Sequence, residues 1–348
     1  MDAFPWADTY ELDMPSVFAA IRSRGARRVL LQFPDGLRDY SAAVAAAVAR
    51  ETGAETLVAG GACYGACDPS PETAAVGADL LVQFGHSPIP SVTVKDALFV
   101  RAKSKLPVDG VVRRAAADLP GRRVGVLTTA QYAHRLEEIL AALRAAGKEP
   151  LVGRGDLRIA MPAQVLGCNY SAGKAVLAQA DCFLYVGSGD FHPLGMALET
   201  DKPLVVADPE NDTVRTVAGL RERILRQRHA AIARAKDARS FAILVSTKPG
   251  QFRMRLALET KALIEKHGRA ATIVTLDTFT PDSLQYWRKE GCWVNTACPR
   301  IATDDFSKYQ VPMVTPPELE MAFGLRRWEE GYVFDAIDGD PTQHETPP

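Results

Sequence analysis

Short uninterrupted apolar runs alternate with amphipathic stretches along most of the chain. The first run covers residues 29–33; Pro34-Asp35-Gly36 ends it, and an Ala-rich segment over 40–50 has the composition of a helix. The alternation continues with a strand over 56–59, a short helix over 71–76 and a buried strand over 80–84 that runs into Gly85-His86-Ser87-Pro88. A strand near 98–101 and a helix near 111–117 close this first unit. After Leu119-Pro120-Gly121 a second unit opens with a strand over 123–128. Its helix over 134–146 places Leu136, Ile139, Leu140 and Leu143 at helical spacing and stops at Gly147. Strands over 182–186 and 203–207 follow, then a long helix from 213 to about 236 capped by Asn211-Asp212. The third unit has a strand over 241–246, a helix over 251–267 ending at Gly268, and strands over 271–276, 292–297 and 311–314.

Strands alternating with helices at this spacing imply right-handed crossovers and largely parallel sheets. The three opening strands, 29–33, 124–128 and 242–246, are alike in position and pattern, which points to a triplicated unit. The expectation is three α/β domains at 1–118, 119–238 and 239–332, followed by a flexible tail over 333–348 where Asp and Pro are frequent. Arg221, Arg223, Arg226, Arg228, Arg234 and Lys236 read as the solvated face of the long helix.

Composition narrows the function. The 348 residues are 47% hydrophobic and carry a formal net charge of −1, so nothing global favours nucleic acid, and a macromolecular partner must be met by a local patch. No run of about 18 apolar residues occurs and the N-terminus has no signal-peptide pattern, so a cytoplasmic protein that does not enter the membrane is expected. Six cysteines are too few for a disulfide scaffold in a chain this long.

In open α/β sheets the ligand binds beyond the carboxyl ends of the strands. The loops expected there carry no phosphate-binding signature. Cys63 and Cys67 are four residues apart, but no second pair follows at zinc-site spacing. Cys182 and Cys292 fall in apolar strands and read as core. Cys67, Cys168 and Cys298 differ: each follows a strand, each has Gly, Ala or Pro beside it, and there is one per unit. Soft thiolates beside small residues suit an iron–sulfur cluster, and three of them leave a fourth iron without a protein ligand. Inert core thiols are the alternative. His86 and His192 stand at strand ends, where hydrogen bonding and catalysis are both open to them.

The segments Tyr64-Gly65-Ala66-Cys67-Asp68, Gln164-Val165-Leu166-Gly167-Cys168-Asn169 and Ala297-Cys298-Pro299-Arg300 resemble the three cysteine motifs of the diphthamide-synthesis enzymes. Gln32-Phe33-Pro34-Asp35-Gly36, Gly85-His86-Ser87, Thr129-Ala130-Gln131, Phe191-His192-Pro193-Leu194-Gly195 and Lys248-Pro249-Gly250-Gln251 resemble further marked segments of that family, over residues 29–324. Ile301-Ala302-Thr303-Asp304-Asp305-Phe306 departs from the family's Ser-Ile-Asp-Trp pattern. The resemblance implies a homodimer whose three similar α/β domains stand in pseudo-threefold arrangement around a central [4Fe–4S] cluster held by Cys67, Cys168 and Cys298. It implies a noncanonical radical enzyme in which S-adenosylmethionine binds the open iron, yields a 3-amino-3-carboxypropyl radical, and modifies C2 of one histidine of translation elongation factor 2. An external electron donor is needed. Gln32, Asp35, Gly85, His86, Gln131, Gly187, His192, Lys248 and Gln251, all at expected strand ends, are expected to line the cofactor cavity, with Asp68 and Arg300 tuning the cluster beside two ligands.

Two other readings compete. A quinolinate synthase-like enzyme also gathers one cysteine from each of three α/β domains around a [4Fe–4S] cluster but uses the open iron as a Lewis acid. A non-catalytic partner subunit keeps the fold and docks a catalytic homologue.

Overall fold

The computed structural model describes residues 6–339. Three sheets dominate it. The first, in the order Glu55–Val58, Arg28–Gln32, Leu80–Phe84, Ala97–Val100, is wholly parallel. The second runs Glu149–Leu151, Arg123–Thr128, Cys182–Val186, Leu204–Asp208, Thr213–Thr216, and only the last strand is antiparallel. The third, Ala270–Leu276, Ser240–Ser246, Cys292–Asn295, Met313–Val314, is again parallel. Numbered within each sheet, the first four strands stand in the order 2-1-3-4 in all three, with a fifth strand added at the edge of the second, and each of the three opening strands is the first strand of its sheet. The central strands are buried on both faces.

That order creates a reversal between the first and third strands of every sheet, the place where ligand crevices open. The chain leaves those strand ends as Phe33-Pro34 and Gly85-His86 in the first sheet, as Thr129 and Gly187-Ser188 in the second, and as Thr247-Lys248 and Thr296-Ala297-Cys298 in the third.

Three expectations change. The helix Asp109–Asp118, read as closing the first unit, packs on the second sheet, where Val111, Val112 and Ala115 share a core with Val126, Ile139 and Leu184. Its apolar stripe matches either neighbour, and only the tertiary contact decides. The long helix starts later, at Ala218–Asp237, because Thr213–Thr216 instead pairs antiparallel with Leu204–Asp208. Arg228 on that helix is not solvated: it is 1% exposed and pairs with the equally buried Glu318. Its Nε donates to Glu318 Oε1 at 2.7 Å, and Nη1 and Nη2 donate to the carbonyls of Ala302 and Met313.

The tail also departs from expectation over 333–339, while 340–348 lie outside the described residues. Phe334 and Ile337 are buried, and the Ile337 amide donates to the Cys168 carbonyl at 2.8 Å. Asn169 Nδ2 donates to the Ile337 carbonyl at 3.0 Å, and Asp335 pairs with buried Arg253 at 2.7 Å. The charged composition that reads as solvated serves here to neutralise a buried guanidinium. No helix among the described residues is long and apolar enough to cross a membrane.

Replacing Asp335 by alanine strands the Arg253 charge in the interior. Breaking such a pair costs about 3–5 kcal/mol, so the variant is expected to show a lower denaturant midpoint at unchanged slope. A midpoint equal to that of the parent protein would show that the segment contributes nothing.

Candidate functional site

Cys67 lies in the loop after Glu55–Val58, Cys168 in the irregular chain after Glu149–Leu151, and Cys298 just after Cys292–Asn295. Cys67 and Cys168 thus follow the second strand of their sheets and Cys298 follows the third, so the strand repeat does not extend to the cysteines. All three nevertheless line one cavity of about 700 Å³.

The arrangement disfavours free thiolates. Burial, followed by the charge of neighbouring Cys168, pushes the Cys67 thiol up to about 11, and the Cys298 thiol is raised further by burial and by Cys168 and Cys67. Thiols whose ionisations oppose one another are stabilised as thiolates by a cationic centre placed among them. Sulfur-only donors select soft or iron–sulfur centres. Among the described residues no three His, Cys, Asp or Glu groups approach closely enough to hold a single metal ion. Ligands of a cluster sit on different irons, and three thiols on one cavity are a donor set that suits such a cluster.

A loop from the third sheet clamps Cys67. The Gly250 amide donates to the Cys67 carbonyl at 3.1 Å, and Gln251 Nε2 donates to Cys67 Sγ at 3.4 Å. Lys248 Nζ pairs with Asp68 Oδ2 at 2.7 Å and lies 4.9 Å from the centre of the Tyr64 ring. Position 250 must be glycine, since a Cβ there would stand 2.4 Å from both Cα and Cβ of Cys67. A second loop is tied by Arg158, whose Nη2 donates to the Gly250 carbonyl at 2.9 Å and lies 3.9 Å from Cys168 Sγ. The Cys298 turn is fixed by Arg253, which donates to the carbonyls of Thr296 and Ala297.

Of the residues expected from sequence, Gly85, His86, Gln131, His192, Lys248 and Gln251 line the cavity with the three cysteines. Burial alone brings the His86 imidazole down to about 4. Burial, then Arg300 and His86, brings His192 down to about 3, so both rings are neutral at physiological pH. The His192 ring stacks on that of Tyr185 and meets that of Phe191 edge-on, with centroids at 6.2 and 5.0 Å. Arg300 lies 4.2 Å over the Phe191 ring and pairs with Asp304, and both charged groups face the cavity.

Three expected residues do not line it. Gln32 sits behind the Cys67 loop: its Nε2 donates to the Asp68 carbonyl at 2.9 Å, while its Oε1 accepts from Ser70 N and Gln83 Nε2. Asp35 is exposed and pairs with Arg38. Gly187 backs onto Tyr185, where a Cβ would meet the ring hydroxyl at 2.7 Å. The end of a strand specifies the edge of a sheet but not which way the next side chain turns. Sequence reasoning missed Arg158 and Arg253 and gave no role to Gln164 of the Cys168 motif, whose Nε2 donates to Ser87 Oγ at 2.8 Å across the cavity wall. The available signal was length: residues 152–170 form a long irregular stretch inside a compact fold, and such stretches are usually functional.

Comparison with known proteins shows the family. A family model described as putative diphthamide synthesis protein matches residues 33–333. The chain is 37% identical over 341 residues to the 2-(3-amino-3-carboxypropyl)histidine synthase of Pyrococcus horikoshii, covering 97% of each. It is 28% identical over 336 residues to 2-(3-amino-3-carboxypropyl)histidine synthase subunit 1 of Gallus gallus, covering 94% of this chain and 80% of that protein. It is similar to the crystal structure of Dph2 from Pyrococcus horikoshii with a 4Fe-4S cluster, with a TM-score of 0.87 and 35% identity over 97% of both chains. A family match over residues 33–333, with a relative 37% identical over 97% of the chain, makes the chain a member of the diphthamide synthesis family.

Proposed function

We propose that this chain is a transferase that moves the 3-amino-3-carboxypropyl group of S-adenosylmethionine to C2 of a histidine imidazole in translation elongation factor 2, the first step of diphthamide formation. The observation that carries this reading is the meeting of Cys67, Cys168 and Cys298, from three different sheets, on one cavity. Family membership and the cluster in the Pyrococcus horikoshii structure support it.

In this reading the three thiolates hold a [4Fe–4S] cluster with one iron free of protein ligands. When bound, the cluster supplies the electron that cleaves the Cγ–S bond of the sulfonium. The chain supplies orientation and dryness. A cavity of about 700 Å³ is ample for S-adenosylmethionine. His86 and His192 are neutral, so they offer hydrogen bonds without adding charge beside a sulfonium. Gln251 donates to Cys67 Sγ and so sets the orientation of that ligand. Tyr185, His192 and Phe191 provide flat faces suited to an aromatic group. A homodimer in the cytoplasm and an external electron donor belong to the same proposal. The Lewis-acid alternative uses the same three thiolates, so product chemistry separates the two.

Anaerobically reconstituted and reduced protein, incubated with S-adenosylmethionine and elongation factor 2, is expected to release methylthioadenosine and to add mass to one histidine of the factor. A fully loaded protein that yields no methylthioadenosine would sink the proposal. Replacing Cys67, Cys168 or Cys298 singly by alanine is expected to lower bound iron sharply. The same change at Cys63, whose Sγ stands 3.9 Å from His86 Nδ1 in the cavity wall, is expected to leave iron largely intact. Gly250→Ala is expected to resemble Cys67→Ala in iron content, with about 1–3 kcal/mol lost in unfolding experiments through overpacking. Retention of iron in that variant would show that the loop yields and that the clamp is dispensable.

A further inference from the structure

Five cationic side chains are buried among the described residues: Arg158, Arg228, Lys248, Arg253 and Arg300. Four of them have a carboxylate partner: Arg228 pairs with Glu318, Lys248 with Asp68, Arg253 with Asp335 and Arg300 with Asp304. Arg158 is only 1% exposed, and among the described residues no carboxylate pairs with it. Its Nε and Nη1 have no hydrogen-bond partner, and its Nη2 lies between the Gly250 carbonyl and Cys168 Sγ. A buried guanidinium without a counter-charge is costly, and the group at hand to balance it is sulfur. Three thiolates on a [4Fe–4S] core make a net anion that becomes more negative by one charge on reduction. A fixed cation at this distance therefore stabilises the reduced form more than the oxidised form.

We propose that Arg158 is the counter-cation of the cluster and a positioning residue for two of its ligands. It makes the cluster easier to reduce and, through the Gly250 carbonyl, ties the loop that clamps Cys67 to the loop that carries Cys168. The inference rests on the cluster reading given above. It adds a determinant of redox potential that is not itself a ligand and does not line the cavity.

The test is a redox titration of the reconstituted full-length protein, followed by electron paramagnetic resonance, with iron and sulfide measured on the same samples. Arg158→Gln keeps a polar side chain but removes the charge, and its cluster is expected to titrate at a more negative potential. A tenfold fall in the ratio of reduced to oxidised cluster at fixed ambient potential corresponds to about 59 mV for a one-electron couple. Arg158→Lys keeps the charge and is expected to titrate close to the parent protein. A loaded Arg158→Gln protein with an unshifted potential overturns the proposal, as does an Arg158→Lys protein shifted as far as Arg158→Gln. If Arg158→Gln takes up no iron, Arg158→Lys decides: iron uptake at the parent potential supports the role of charge, and its absence overturns it. Parent protein that binds no iron removes the cluster reading itself, whereas an unshifted potential in a loaded variant removes only the role of Arg158.

Discussion

The site depends on hydrogen bonds between the segments that surround it, and two buried guanidiniums make the central ones. Arg158 reaches from the irregular chain before Cys168 to the Gly250 carbonyl beside Cys67. Arg253 gathers the carbonyls of Thr296 and Ala297 next to Cys298 and closes on Asp335. A guanidinium suits this because its five donors lie in one rigid plane and can fix several acceptors at once. Hydrogen bonds from a charged donor contribute about 1.5–3 kcal/mol each, but burying the charge costs several kcal/mol, so the arrangement holds only when the acceptors are all present. The geometry of the three thiols is therefore set collectively.

The sheets supply the platform on which those ties operate. A common 2-1-3-4 order places a strand reversal in each sheet, and the residues leaving those reversals meet at the cavity. The chemistry does not repeat. Two cysteines follow second strands and one follows a third, and among the described residues the clamping loop 248–251 has no counterpart in the other two sheets that contacts a cysteine in the same way. A repeated scaffold with unrepeated loops is how one architecture hosts an asymmetric reaction.

How much of this was legible in the sequence follows from how locally each feature is determined. Buried strands such as Leu80–Phe84, Arg123–Thr128 and Cys182–Val186 fall where the mainly apolar runs place them, since such short runs have few alternatives in a covered parallel sheet. The three cluster cysteines, Lys248, Gln251 and the two histidines are placed by strand ends together with motif resemblance, and all of them line the cavity. Gln32, Asp35 and Gly187 were placed there by the same strand-end argument and turn away, because side-chain direction after a strand is fixed by tertiary contacts. Arg228 and Asp335 have no sequence signal: a charged residue on a charged helix or in an acidic segment looks solvated until its partner, 90 or 82 residues away, is known.

The strap formed by 334–339 bears on the order of events during synthesis. Its Ile337 amide satisfies the carbonyl of Cys168, and its Asp335 neutralises the arginine that holds the Cys298 turn. These residues leave the ribosome after every cysteine has emerged. A nascent chain thus exposes its sulfurs before the strap that braces two of their loops exists.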